Sequence, residues 1–379
     1  MSKEKLERYG ENPHQTAWIE IDESYKGPNI VKKQLHGIPL SYNNIIDANS
    51  ALEVMLDFYD KNASVVIKHT NPCGLATGDD LTEAFKNAWY GDEVSAFGSI
   101  VGYSNELDEN TVKLLRGKFV EVLVAPSYSK EALDWIKKQE SKEELRVIKT
   151  GPLEDTPEFI EEHKIRGGTI SQTRDNRLYL CDSIDELLLE PKVIQEPNSG
   201  NKYLVGNVTE RTFDDDTKGL IEFSIIAGKH TKSNAIILAY EYSKGRYRIL
   251  GMGAGQPNRK DSVEKLAGPK AQENLMRQYF REQRLGPYIT FDKMNRDTKY
   301  RNKTFRAIRK YTEHILSSKR VVLFSDAFFP FRDGLDAVAD LGVKYVIQPG
   351  GSKNDNELIK AADQQGVAMI FTGIRHFKH

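Results

Sequence analysis

Cysteine is nearly missing from this 379-residue sequence: Cys73 and Cys181 are the only two, and neither belongs to a CxxC pair. That excludes a disulfide framework and a zinc ribbon and fits a reducing compartment. Net charge is almost absent as well, with 54 Lys plus Arg against 55 Asp plus Glu, a balance of −1. No global field therefore draws nucleic acid or a membrane surface, and an anionic ligand must be held by local basic side chains. No apolar run approaches the ~20 residues that span a bilayer. The N-terminus MSKEKLERYG lacks the apolar core of a signal peptide. A cytoplasmic protein is expected, with no nucleic-acid or membrane partner. Period-like repeats and low-complexity segments are also missing.

What is present is a series of short apolar runs, SVVIK, GSIVGYS, VEVLVAP, NAIILAY, VVLFSD, VKYVIQP and VAMIFTG, separated by segments of helical period. Buried strands alternating with helices predict an α/β fold. Residues 191–219, rich in Pro, Gly, Asn and Asp, are the candidate boundary, giving halves of 1–195 and 196–379 whose similar size is compatible with an old duplication. In the C-terminal half, RVVLFSD, VKYVIQP and VAMIFTG read as strands joined by the helices RDGLDAVADLG and NDNELIKAADQQG. Asp333 is a plausible N-cap and Gly342 a stop. A β-α-β-α-β run implies parallel strands, and ligands bind beyond their carboxyl ends. That directs attention to the turns SDAFFPFRD, QPGGSKND and TGIRHFKH.

Each candidate motif has a bland reading beside a chemical one. ASVVIKHTNPCG ends an apolar strand in Lys68 and His69 and is expected to turn at once through Asn71, Pro72 and Gly74. A lone Lys-His pair is usually a solvated strand end. Opening into a cleft, His69 could take a substrate proton and Lys68 could hold an oxyanion. GMGAGQPNR invites a dinucleotide reading, but it lacks the third glycine of GxGxxG and Pro257 falls where the phosphate-binding helix should run. Its glycines admit a ligand or make a tight turn; the helix start expected after them is DSVE, with Asp261 as cap and Glu264 reaching back. NPCG echoes zinc deaminases, yet no histidine begins H-x-E and Cys73 has no near partner, so zinc is not expected. The phenylalanines of SDAFFPFRD are core or a platform for a flat ring such as a pterin. QPGGS is a nest suited to an anion, and RHFKH is a frayed tail or a basic contact.

The motifs RYGENPHQ, LSYNN, KHTNPCG, SAFG, SNAI, GMGAGQPNR, SDAFFPFRD, QPGGS and FTGIRHFKH follow one another in this order from residue 8 to the C-terminus. In that succession the sequence resembles the AICAR transformylase domain of the bifunctional purine biosynthesis protein. Departures from the family pattern are Asp92-Glu93-Val94 before SAFG, Ser99 after it, a loose GGTISQTRD at 167–175, and Asn105 where the family carries Asp. RYGENPHQ begins close to the start of the chain, so a stand-alone transformylase without the IMP cyclohydrolase domain is expected.

The resemblance implies two cytidine-deaminase-like α/β domains with mixed, largely parallel sheets. It also implies transfer of a formyl group from 10-formyltetrahydrofolate to the 5-amino group of AICAR, in a homodimer whose active sites use both subunits. By the same resemblance His69 is the general base, Lys68 stabilises charge and delivers a proton, and Asn234 orients the formyl oxygen. Arg8, Tyr9 and Arg375 would bind the nucleotide. Asn105, Arg259, Lys260, Phe328, Asp333, Ser352 and Lys353 would bind folate. Thr231, Ser233 and Asp326 match parts of a potassium site. The alternatives are a nicotinamide-dependent dehydrogenase, which rests on GMGAG, and a non-catalytic nucleotide-binding module, against which the intact Lys68, His69 and Asn234 count.

Overall fold

A computed structural model describes residues 2–154 and 156–379. The chain forms two compact units, Met1–Asn176 and Arg177–His379. The division falls before the expected 195/196 boundary because Lys192–Gln195 pairs antiparallel with Lys202–Asn207, which puts both sides of that expected boundary in one hairpin.

In the first unit the strands follow one another in the order Asn71–Thr77, Ala63–Lys68, Ser99–Tyr103, Val120–Ala125, Arg146–Lys149 and Gln34–His36. The first two form a tight antiparallel hairpin, Ser99–Tyr103 joins Ala63–Lys68 antiparallel, and the next two pairings are parallel. Val65, Val66 and Ile67 are buried, as β-branched residues on a strand covered on both faces should be. The helix Tyr42–Leu56 packs on this sheet. LSYNN is its start signal: Ser41 caps it, accepting the Asn44 amide while the Asn44 side chain returns to the Ser41 N–H.

The second unit repeats the same pairing sequence. Ile236–Ser243 and Arg246–Gly253 form a hairpin, Val321–Ser325 joins Ile236–Ser243 antiparallel, and Tyr345–Gln348 and Ala368–Phe371 follow in parallel. The predicted β-α-β-α-β run is present, with helices Arg332–Asp340 and Asp355–Gln365 between its strands. In each unit the strand pairing is thus mixed, with the parallel pairs grouped and antiparallel strands beside them. Gly342 at φ 92° and Gly366 at φ 62° follow the two helices, where glycine adopts the left-handed conformation most readily.

Two expected helix caps are corrected. Asp333 lies inside the first turn of Arg332–Asp340, whose N-cap is Phe331 without a side-chain bond. Asp261 also lies inside its helix: Asn258 is the cap and accepts the Asp261 amide. The helix then continues through a π-helical turn, Ser262–Ala267, into Gly268–Glu282. Pro269 has no N–H to return to the preceding turn, a local reason for the wider winding.

Candidate functional site

The turn that carries Lys68 and His69 is tighter than the sequence suggests. Asn71, Pro72, Cys73 and Gly74 do not turn; they belong to the returning strand. The reversal is made by His69 and Thr70 alone, at φ 52° and 64°. Two successive positive-φ residues are what a two-residue hairpin needs, a task usually given to Asn-Gly. Side chains in that conformation cost about 1–2 kcal/mol each, and such strain gathers at functional sites. Pro72 is accommodated by a register irregularity between Val66 and Ile67, the kind of bulge at which a strand tolerates proline. Cys73 is buried and its thiol donates to the Val66 carbonyl at 3.3 Å.

Around this turn the first unit assembles five further contacts. Lys68 Nζ donates to the Phe97 and Gly98 carbonyls at 3.0 and 2.9 Å, which explains why SAFG accompanies KHTNPCG. Phe97 and Phe119 stack beside it with centroids 5.0 Å apart. Asn71 Nδ2 donates to the His69 carbonyl at 3.0 Å. Asp47, on the helix Tyr42–Leu56, accepts the Thr70 amide at 2.7 Å. Burial pushes the Asp47 carboxyl above the usual carboxylate range, while the amides of Thr70 and His69 and the charges of His69 and Lys68 pull the other way. Sequence reading passed over Asp47 because an aspartate in a helix carries no signal of its own.

Arg8 and Tyr9 lie in the loop between Ser2–Lys5 and Trp18–Ile21, with the guanidinium 5.8 Å from the Tyr9 ring centroid. The structure adds Arg146, buried, its Nε donating to the Pro39 carbonyl at 3.2 Å. Burial and the charge of Arg8 hold the Arg146 guanidinium below its usual range. Asn105 stands apart: its side chain donates to Lys61 and Asn62, beyond the end of Ala63–Lys68 opposite to Lys68. Six residues of strand separate the two ends, about 20 Å at ~3.3 Å per residue.

The second unit ties its three strand-end turns together. The His376 amide donates to the Asp326 carbonyl at 2.9 Å, and the Ser233 amide to the Lys378 carbonyl at 2.9 Å. Asn354 Nδ2 donates to the Pro330 carbonyl at 2.7 Å. The C-terminal segment is therefore anchored, not frayed, with His376 buried. Asp326 is fully buried and receives Arg259 Nη2 at 2.9 Å and the Ser233 hydroxyl at 2.6 Å. The Phe377 ring centroid is 5.6 Å from the Arg259 guanidinium and 4.3 Å from that of Arg375. Asn234 follows a cis peptide bond and donates through Nδ2 to the Gln256 carbonyl at 2.8 Å. Lys260 pairs with Glu264 at 3.8 Å. Phe328 is half-buried, Phe329 is core and Phe331 is exposed. Asp333 is exposed, and its carboxylate accepts the neighbouring Gly334 amide at 2.8 Å.

Two chemical readings change here, at the nest and at the glycines of GMGAG. In the potassium set, Thr231 donates to the Ala227 carbonyl, Ser233 donates to Asp326, and Arg259 pairs with Asp326. The QPGGS nest is filled from within, since Asp355 accepts the Gly351 and Ser352 amides at 2.8 and 3.2 Å. In the same turn the Ser352 hydroxyl accepts the Asn354 amide at 3.1 Å, and Lys353 is exposed. The glycines of GMGAG are neither turn nor dinucleotide cradle at 251 and 253. A Cβ on either would run into the Ala267 or Ser262 carbonyl oxygen of the following helix, so the close approach they permit is made by the protein itself. Among the described residues no group of three or more His, Cys, Asp or Glu could hold a metal ion, and no helix is long and apolar enough to cross a membrane.

Comparison with known proteins supplies the remaining context. A family model described as "AICARFT/IMPCHase bienzyme" matches residues 1–270. The bifunctional purine biosynthesis protein PurH of Persephonella marina is 35% identical over 374 residues, covering 98% of this chain and 59% of that protein. PurH of Rhodopirellula baltica is 37% identical over 376 residues, covering 98% and 58%. PurH of Lactobacillus acidophilus is 35% identical over 379 residues, covering 100% and 60%. The chain spans about three fifths of the length of these relatives.

Proposed function

The chain belongs to the AICARFT/IMPCHase bienzyme family, and from that premise we propose that it transfers a formyl group from 10-formyltetrahydrofolate to the 5-amino group of AICAR. The observation that carries this reading is the strained His69–Thr70 turn, which presents an exposed imidazole beside an ammonium group held by two carbonyls.

The acceptor amine is a poor nucleophile because its lone pair is delocalised into the imidazole and carboxamide. His69 removes its proton as it attacks the formyl carbon, a role worth ~10²- to 10⁴-fold in rate. Lys68 steadies the negative charge that develops on the formyl oxygen and delivers a proton toward the departing folate nitrogen. Asn234 keeps one amide N–H to orient the formyl oxygen, its other being committed to Gln256. Arg8, with Arg146 behind it, and Arg375 supply the guanidinium groups that a phosphate dianion needs in a chain of nearly zero net charge. Tyr9 lines the nucleotide pocket. Phe328 and Asp333 provide a ring face and a carboxylate for the pterin, and Lys260, Ser352 and Lys353 the polar contacts of the remaining folate. Arg259 acts at one remove, by fixing Asp326 and the turn below these groups. The working unit is a homodimer with shared active sites.

The test is the release of tetrahydrofolate from 10-formyltetrahydrofolate with and without AICAR. Release that depends on AICAR, and that falls by at least ~10²-fold in His69→Ala, is expected. An unchanged rate in His69→Ala would sink the assigned mechanism, and release indifferent to AICAR would sink the reaction.

A further inference from the structure

We propose that Asp47 is a positioning residue that locks the His69–Thr70 turn in its left-handed conformation and thereby aims the His69 imidazole. This rests on the formyl-transfer reading above. Neither residue of the turn is a glycine or an asparagine, and Thr70 is β-branched, the side-chain type least suited to positive φ. Within the hairpin the Thr70 hydroxyl and Asn71 Nδ2 donate to the His69 carbonyl at 2.6 and 3.0 Å; the turn amide is held from outside. Asp47 Oδ1 takes the Thr70 amide at 2.7 Å, and an ionised oxygen is the stronger acceptor for it. Asparagine at 47 would offer one oxygen where the carboxylate offers two.

The support behind Asp47 is rigid. Its helix is pinned one turn earlier by the reciprocal Ser41 and Asn44 cap, and Asn44 Nδ2 reaches Glu121 at 2.9 Å. Burial disfavours the ionised carboxyl, and only the turn amides and the neighbouring basic groups offset it. A carboxylate kept in that setting contributes little to global stability. Its effect is local, on the geometry of the proton acceptor, where a displacement of ~1 Å can cost ~10²-fold in rate.

The experiment uses the full chain as wild type, Asp47→Asn and Asp47→Ala. It reads steady-state AICAR-dependent tetrahydrofolate release, the melting temperature, and hydrogen exchange of the peptide containing residues 68–71. The expected result has three parts: kcat falls at least ~10-fold in Asp47→Asn and further in Asp47→Ala, with KM for AICAR within ~2-fold; exchange in the turn accelerates in both variants; and the melting temperature of Asp47→Asn is no lower than wild type. Unchanged kcat, unchanged exchange at 68–71, or a loss of rate that simply follows a loss of melting temperature overturns the proposal. If wild type itself releases no tetrahydrofolate with AICAR, the formyl-transfer reading fails, and the exchange measurement still decides whether Asp47 holds the turn.

Discussion

Asp326, which by resemblance matches part of a potassium site, is completely buried in the fold and carries Arg259 and Ser233. Removing one partner of a buried ion pair strands the other, at a cost of about 3–5 kcal/mol. Asp326→Ala should therefore lower the unfolding free energy by that amount in denaturant titration, and it should loosen the C-terminal segment that Ser233 holds through Lys378. Lys68 and His69 were legible as basic residues at a strand end. The turn was not, because Asn71, Pro72 and Gly74 have strong turn propensity that strand pairing overrode. Asp47 had no local signature at all, since its role exists only where a helix and a hairpin meet.

At the scale of elements, glycine is used the same way in both units. Gly74, on the second strand of the first hairpin, faces the Ala88 carbonyl of the following helix, as Gly251 and Gly253 face Ala267 and Ser262. A methyl group at any of these sites must push helix and strand apart, which costs about 1–3 kcal/mol in a packed core. Gly74→Ala should lower stability by at least that much, with the loss seen in thermal melting and the fold otherwise retained. The Asp355 carboxyl, which closes the QPGGS nest, is raised above its usual range chiefly by burial. A raised carboxyl means the folded state binds the extra proton, so its favourable contribution is present at low pH and is lost as pH rises from the unfolded value through the folded one. Denaturation of wild type and Asp355→Asn at pH 4 and pH 7 should show the variant gaining on wild type toward pH 7.

For the whole molecule, the two units share one order of strand pairing, hairpin first and parallel strands after it. The proposed homodimer predicts a sedimenting mass of twice the 43.0 kDa chain and a specific activity that falls on dilution below the dimer dissociation constant; a monomer of full activity would remove the shared-site reading. The sequence by itself determined the α/β class, the buried strands, the two helices of the C-terminal β-α-β-α-β run and the family, because hydrophobic period and ordered motifs are properties of the chain read one stretch at a time. Tertiary structure alone decided that His69 and Thr70 make the turn, that Asp355 occupies the nest, that Arg259 faces inward to Asp326, and that Asp47 stands behind the Thr70 backbone. The last two are contacts between groups far apart in the chain, and the strength of all of them depends on burial and on hydrogen-bond partners that only folding brings within reach.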